Sequence, residues 1–151
     1  MGPGRLHRVV AVAEAVTWGL LLLGMVLKYL TRTTDVLVSV GGALHGFVFL
    51  AYLVTTVLVA VDGRWGARAL LLGLGSAVPP FTTLVFEAWA RGRGLLSEQW
   101  RLRGSHPQGP VERVVGLVLR RPVLAGVVTL LVLAVVFAGL VRLGPPTTWV
   151  A

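Results

Sequence analysis

The sequence predicts an all-α membrane protein: an antiparallel bundle of four transmembrane helices, with an interfacial amphipathic segment between the third and fourth. Three observations carry this. Of 151 residues, 56% are hydrophobic and only 13% are charged, against roughly 25% charged in soluble domains. The apolar residues fall into four long blocks, and the arginines gather in the connections between them. A single membrane domain over residues 1–151 follows, located as a multi-pass protein of the cell membrane.

The blocks cover residues 9–30, 36–61, 67–90 and 123–143. Each approaches or exceeds the ~20 residues that cross a ~30 Å hydrocarbon core. Backbone amides in lipid must bond within their own segment, so the blocks are expected as helices. The first follows Arg5 and Arg8 but is too long for a signal h-region and holds Glu14, so it is expected to be retained. In the third, Pro79-Pro80 removes two backbone donors, which predicts a kink near Ala77 with Ser76, Thr82 and Thr83 as partners for the freed carbonyls.

The connections at 31–35 and 62–66 are short; the one at 91–122 is long and basic, with seven arginines against Glu98 and Glu112. Within it, Val111, Val114, Val115 and Val118 recur at helical spacing and predict a helix lying on the membrane surface. The net charge of +8 is assigned to topology and lipid headgroups rather than to nucleic acid, because the arginines flank the apolar blocks. With four full crossings, the basic-residue count favours an external N-terminus and a cytoplasmic arginine-rich loop. Small residues mark expected contacts: Ala11, Ala15 and Gly19, then Gly42 and Gly46, then Ala69, Gly73 and Ala77. Trp65, Trp89, Trp100 and Trp149 fall near the expected interfaces.

Ionisable groups inside a span cost roughly 2.5 kcal/mol or more, so each is a functional hypothesis. Glu14 and His45 stand out. Gly42, His45, Phe49, Tyr52 and Thr56 share one face of the second helix; Glu14, Trp18, Leu21, Met25 and Lys28 form a stripe on the first. If these stripes face each other and the proline break, Glu14, Trp18, Met25, His45, Phe49, Tyr52 and Pro80 line a pocket. A threonine hydroxyl or Arg68 is the expected partner for Glu14. Lys28 and Glu87 are expected to form an ion pair at one membrane boundary. No metal site is expected, since His7 and His106 lie outside the predicted spans and the chain has no cysteine; no cofactor motif appears either.

The run Glu14-Ala15-Val16-Thr17-Trp18 with Leu21-Leu22, Met25 and Lys28-Tyr29, then His45-Gly46, Phe49, Tyr52, Pro80-Phe81 and Glu87, resembles a small bacterial integral-membrane family of unknown function, the YdzA-like proteins, over residues 5–93. The resemblance implies a three-helix core, to which this chain adds the basic segment and a fourth helix. It implies no activity. With no nucleophile elbow, phosphate loop or zinc motif, two functions are carried forward. One is a non-enzymatic binding, accessory or assembly module, its partner membrane lipid, another membrane protein, or a second copy through helix four. The other is an intramembrane enzyme or proton-coupled transporter using Glu14 and His45.

Overall fold

The computed structural model describes residues 1–143, and these are helical without a strand. Helix α1 runs Pro3–Met25, Pro3 fitting the first turn where its missing N–H costs nothing. It passes into a π-helical turn, Val26–Leu30, closed by Thr31 N–H on Val26 O and by the Thr31 and Thr33 hydroxyls on Leu27 O. Helix α2, Val36–Asp62, returns alongside α1. The two approach closely where they have no side chains to separate them. A Cβ on Gly24 would lie 2.6 Å from Val38 N, and one on Gly41 would lie 3.4 Å from the Leu20–Leu21 backbone.

Two continuous helical stretches, Pro3–Leu30 and Val36–Asp62, are long and apolar enough to cross a membrane. Only 28% and 33% of their most apolar windows are buried inside the molecule. Val9, Val12, Val16, Leu23, Val40, Leu44 and Val57 point outward. A soluble protein would hide such helices in its core.

The third apolar block departs from expectation. It is two short helices, α3 (Ala67–Gly75) and α4 (Thr82–Gly92), folded back on each other. A Cβ on Gly73 would lie 2.9 Å from both Phe86 Cζ and Thr56 Cγ2, and the Trp65 and Phe86 rings are 5.9 Å apart. On one continuous helix residues 65 and 86 would be about 30 Å apart. Pro79 and Pro80 stop α3, and Phe81, at φ 63°, starts α4 from the left-handed region. Ser76 Oγ donates to Gly73 O, and Thr82 Oγ1 to the carbonyls of Ser76 and Pro79, so hydroxyls take up carbonyls freed at the break. Each arm covers roughly 14–17 Å at 1.5 Å per residue, half the length a membrane crossing needs.

The hairpin brings the chain back to the end where α1 began. Gly4 N–H donates to Ser97 O (3.0 Å), Trp100 Nε1–H to Met1 O (2.9 Å) and Trp65 Nε1–H to Leu95 O (2.9 Å). Four full crossings would have put Met1 and Trp100 at opposite ends of the bundle. The basic segment then folds over this end as α5 (Arg101–Gly104) and the amphipathic α6 (Pro110–Arg120). Leu96, Trp100, Leu102, Val115 and Leu119 pack there against Val59, Phe86 and Ala90. Helix α7, Pro122–Leu143, leaves from this end and packs on α2. Trp149 lies outside the described residues.

Candidate functional site

The polar groups of the interior line up along one face of α1. Glu14 is fully buried, its Oε2 accepting the Thr83 hydroxyl of α4 at 2.7 Å. The partner is a threonine, as expected, but one supplied by the folded-back α4 rather than by the second helix. Thr17 Oγ1 donates to Glu14 O (2.9 Å) and lies 3.2 Å from His45 Nδ1. The His45 ring sits 4.4 Å from Trp18 and 6.2 Å from Phe49, centroid to centroid. Thr17 therefore links the Glu14 backbone to His45, and the His45 ring lies beside Trp18 and Phe49.

Tyr52 belongs to the next level. Its hydroxyl is 3.0 Å from Ser76 Oγ; because Ser76 donates to Gly73 O, Tyr52 is the natural donor to Ser76. Its ring lies 5.4 Å from His7. His7 is the residue sequence reasoning misplaced. It is fully buried, with Nε2 3.5 Å from Thr56 Oγ1 and its ring among Tyr52, Trp65 and Phe86. Position between Arg5 and Arg8 suggested the water side, yet α1 starts at Pro3 and turns this face inward. His7 and His45 still cannot share a metal: the α2 residues beside them, Thr56 and His45, are about 16 Å apart along the helix.

Two expected pocket members stand apart, and the expected ion pair is absent. Pro80 is exposed at the hairpin tip. Met25 is half-buried about 10 Å beyond Trp18 on α1 and shares none of the contacts described for the seam. The Lys28–Glu87 pair is not formed. Glu87 is carried by the hairpin to the His7 end, where it accepts Arg91 one turn along α4 (Nε 3.2 Å), while Lys28, some 30 Å away by helix rise, lies 5.5 Å over the Tyr29 ring. The cause is chain direction: a continuous third helix would have put Glu87 beside Lys28.

Among the described residues, three buried side-chain atoms complete no hydrogen bond: His7 Nδ1, Glu14 Oε1 and Trp18 Nε1. Glu14 and Trp18 are one turn apart on the same face.

A family model described as a domain of unknown function, DUF3817, matches residues 4–92. The chain belongs to that family. The DUF3817 match runs from the first turn of α1 to the last residue of α4, so His7, Glu14, His45, Tyr52 and Thr83 all lie inside it, and the basic cap and α7 lie beyond. A Streptomyces coelicolor protein named provisionally as a membrane protein is 46% identical over 101 residues, covering 64% of this chain and 12% of that protein. The chain thus matches a small part of a much longer relative. No solved structure matches. The resemblance over residues 5–93 and these findings agree on a small bacterial membrane family of unknown function.

A second feature, illegible in the sequence, fastens the cap to the DUF3817 core. Asp62, buried at the end of α2, accepts the backbone N–H groups of Arg101 (3.0 Å) and Leu102 (2.9 Å), an N-terminal cap supplied from 39 and 40 residues away. Arg101 returns its guanidinium to the Asp62 and Val61 carbonyls and to Glu112 (2.8 Å). Glu112 also takes Arg64 (3.0 Å). The Gln108 N–H, then Arg101 and Arg64, hold its carboxyl down at about 2.

Proposed function

We propose that this chain is a multi-pass, non-enzymatic module of the cell membrane, with its N-terminus and arginine-rich cap on the cytoplasmic side, serving as a binding or assembly unit. In this reading α1, α2 and α7 cross the bilayer and α3–α4 re-enters from the cytoplasmic side, so the four-span bundle of the sequence becomes three spans and a re-entrant hairpin.

The observation that carries it is the distribution of cations once the hairpin is in place. Arg5, Arg8, Arg64, Arg68, Arg91, Arg93, Arg101, Arg103, Arg113, Arg120 and Arg121 belong to the end of the bundle that holds the N-terminus. Lys28, Arg32 and Arg142 belong to the other. Basic residues near helix ends favour the cytoplasm, so this split points the N-terminus inward, the reverse of the four-crossing count. Helix α6 supports a surface position, with exposed Val111, Val114 and Leu117 beside Arg113 and Arg120.

The module reading draws on the interior. Glu14 and His45 are engaged with Thr83, Thr17 and Trp18, as helix-to-helix contacts in lipid are. The matched stretch of the Streptomyces coelicolor relative is a minor part of that protein, as expected of a unit used alongside others. Helix α7 keeps Val127, Leu131, Ala134, Val135 and Ala138 exposed, a face available to lipid, a second copy or another membrane protein. The competing reading, proton handling at Glu14 and His45, is favoured by the unpartnered Glu14 Oε1.

Reporter fusions test the orientation. Green fluorescent protein at the N-terminus is expected to fluoresce, and alkaline phosphatase in the 31–35 loop to be active outside; the opposite pattern overturns the reading. Cysteines at Ala134 and Ala138, crosslinked in native membranes, test the assembly role: a captured second chain supports it, and a chain that stays alone counts against it.

A further inference from the structure

A groove of about 460 Å³ lies between α1, α2, α6 and α7, within the size range of small-molecule sites. Its deep part is apolar, walled by Phe47, Ala51, Val54, Leu58, Leu119 and Leu130. Along α2 it extends from Leu58 to Phe47, about 16 Å by helix rise, or one leaflet's share of a ~30 Å hydrocarbon core.

At the cap end its chemistry changes. Met1, Trp100 and Arg103 line the mouth, and the same three residues also line a polar cavity of about 540 Å³ with Gly2, Glu98, Gln99 and Gly104. Both spaces are lined by those three residues. Arg103 is anchored by its Nε–H on Leu119 O (3.2 Å), which fixes the guanidinium beside the groove. Glu98 is among the residues that line the polar space. An apolar channel one leaflet deep, opening on a cation and an anion at headgroup level, is complementary to one class of molecule.

We propose that this groove seats an acyl chain of a zwitterionic glycerophospholipid, its phosphate on Arg103 and its ammonium group facing Glu98. The proposal rests on the membrane topology above and adds the ligand to it. Arg103 offers the phosphate charge-assisted hydrogen bonds from the two terminal nitrogens that the Leu119 anchor leaves over. Glu98 selects against headgroups that carry only negative charge, because a second anion there would meet a carboxylate.

Native mass spectrometry of the full chain in detergent tests this with three added probes: phosphatidylethanolamine, phosphatidylglycerol and palmitate. The chain is expected to retain phosphatidylethanolamine at one per molecule, in preference to the other two. Arg103→Ala is expected to weaken retention by about tenfold, the scale of one lost charge-assisted contact. Ala51→Trp, which fills the groove, is expected to abolish it, and Glu98→Gln to let phosphatidylglycerol compete. Equal lipid loads in the parent, Arg103→Ala and Ala51→Trp chains overturn the proposal, as does equal retention of palmitate or phosphatidylglycerol by the parent. Thermal unfolding in the same detergent shows that each variant is folded. Should Ala51→Trp fail to fold, Arg103→Ala and Arg103→Lys decide, Lys keeping charge but losing the two-pronged contact. The reporter fusions separate the failures: correct topology without lipid retention removes this proposal alone.

Discussion

Glu14 is a fully buried carboxyl group, and Thr83 is its side-chain hydrogen-bond partner on the hairpin. The hydroxyl reaches Oε2 from the far arm of the hairpin, so the contact ties α1 to α4 as well as satisfying the carboxyl group. Side-chain hydrogen bonds between helices in lipid are worth about 0.6 kcal/mol and at most about 1.7. Thr83→Val, nearly equal in volume, is expected to cost that much, measured by unfolding in detergent, and Thr83→Ser to cost less. At the cap, Glu112 carries a pH prediction. Its carboxyl, held at about 2 against an ordinary 4.5, favours the folded cap fully above about pH 4.5 and loses that contribution as pH falls toward 2. Hydrogen-exchange protection of residues 101–120 is expected to fall across that window, and Glu112→Gln is expected to start low and lose the dependence. Glu14, His45 and Tyr52 were legible in the sequence because polar groups inside apolar runs demand partners. His7 was not, because a histidine flanked by arginines looks like a water-side residue until the start of α1 is known.

Helix limits followed the apolar blocks closely where a block is one helix. Residues 36–61 became Val36–Asp62, and 123–143 became Pro122–Leu143. The first helix starts earlier than expected because Pro3 begins its first turn while Gly4 and His7 are packed against the cap and the bundle, contacts that hydropathy does not register. The third block shows the limit of such reasoning. Length and hydropathy are blind to chain direction, and a mainly apolar block of twenty-four residues reads the same whether it crosses or turns back. Pro79-Pro80 was the available signal, read as a kink. With a left-handed Phe81 following and the Ser76 and Thr82 hydroxyls absorbing the freed carbonyls, it is a reversal. Small-residue contacts were partly legible. Ala11, Ala15, Gly73 and Ala77 are buried, but Gly19 faces open space and the close α1–α2 contact is at Gly24. Gly24→Ala is therefore expected to destabilise the bundle by about 1–3 kcal/mol through overpacking against the Val38 backbone, whereas Gly19→Ala should leave thermal stability unchanged or raised.

At the scale of the whole molecule, one change in chain direction rearranges everything else. It moves Glu87 from Lys28 to His7, brings Thr83 to Glu14, gathers the N-terminus and the arginine-rich segment at one end, and turns a nine-to-five split of cations between the two ends into an eleven-to-three one. Composition and the long apolar blocks together made the helical, membrane-type character of the described residues readable, because too few charged residues exist to cover a soluble surface. The clamp of Asp62, Arg101, Glu112 and Arg64 was hidden, since its members lie tens of residues apart and meet only after the hairpin has closed. The absence of cysteine lets single cysteines report this arrangement directly. Placed one at a time at Ala67, Ser97 and Asp35, all exposed, and probed with an impermeant maleimide in sealed vesicles, they separate the two topologies. Ala67 and Ser97 are expected to label from the same side, the cytoplasmic one, with Asp35 labelling from the other. Labelling of Ala67 and Ser97 from opposite sides would mean that residues 67–90 cross the membrane, and would contradict the fold-back on which the account rests.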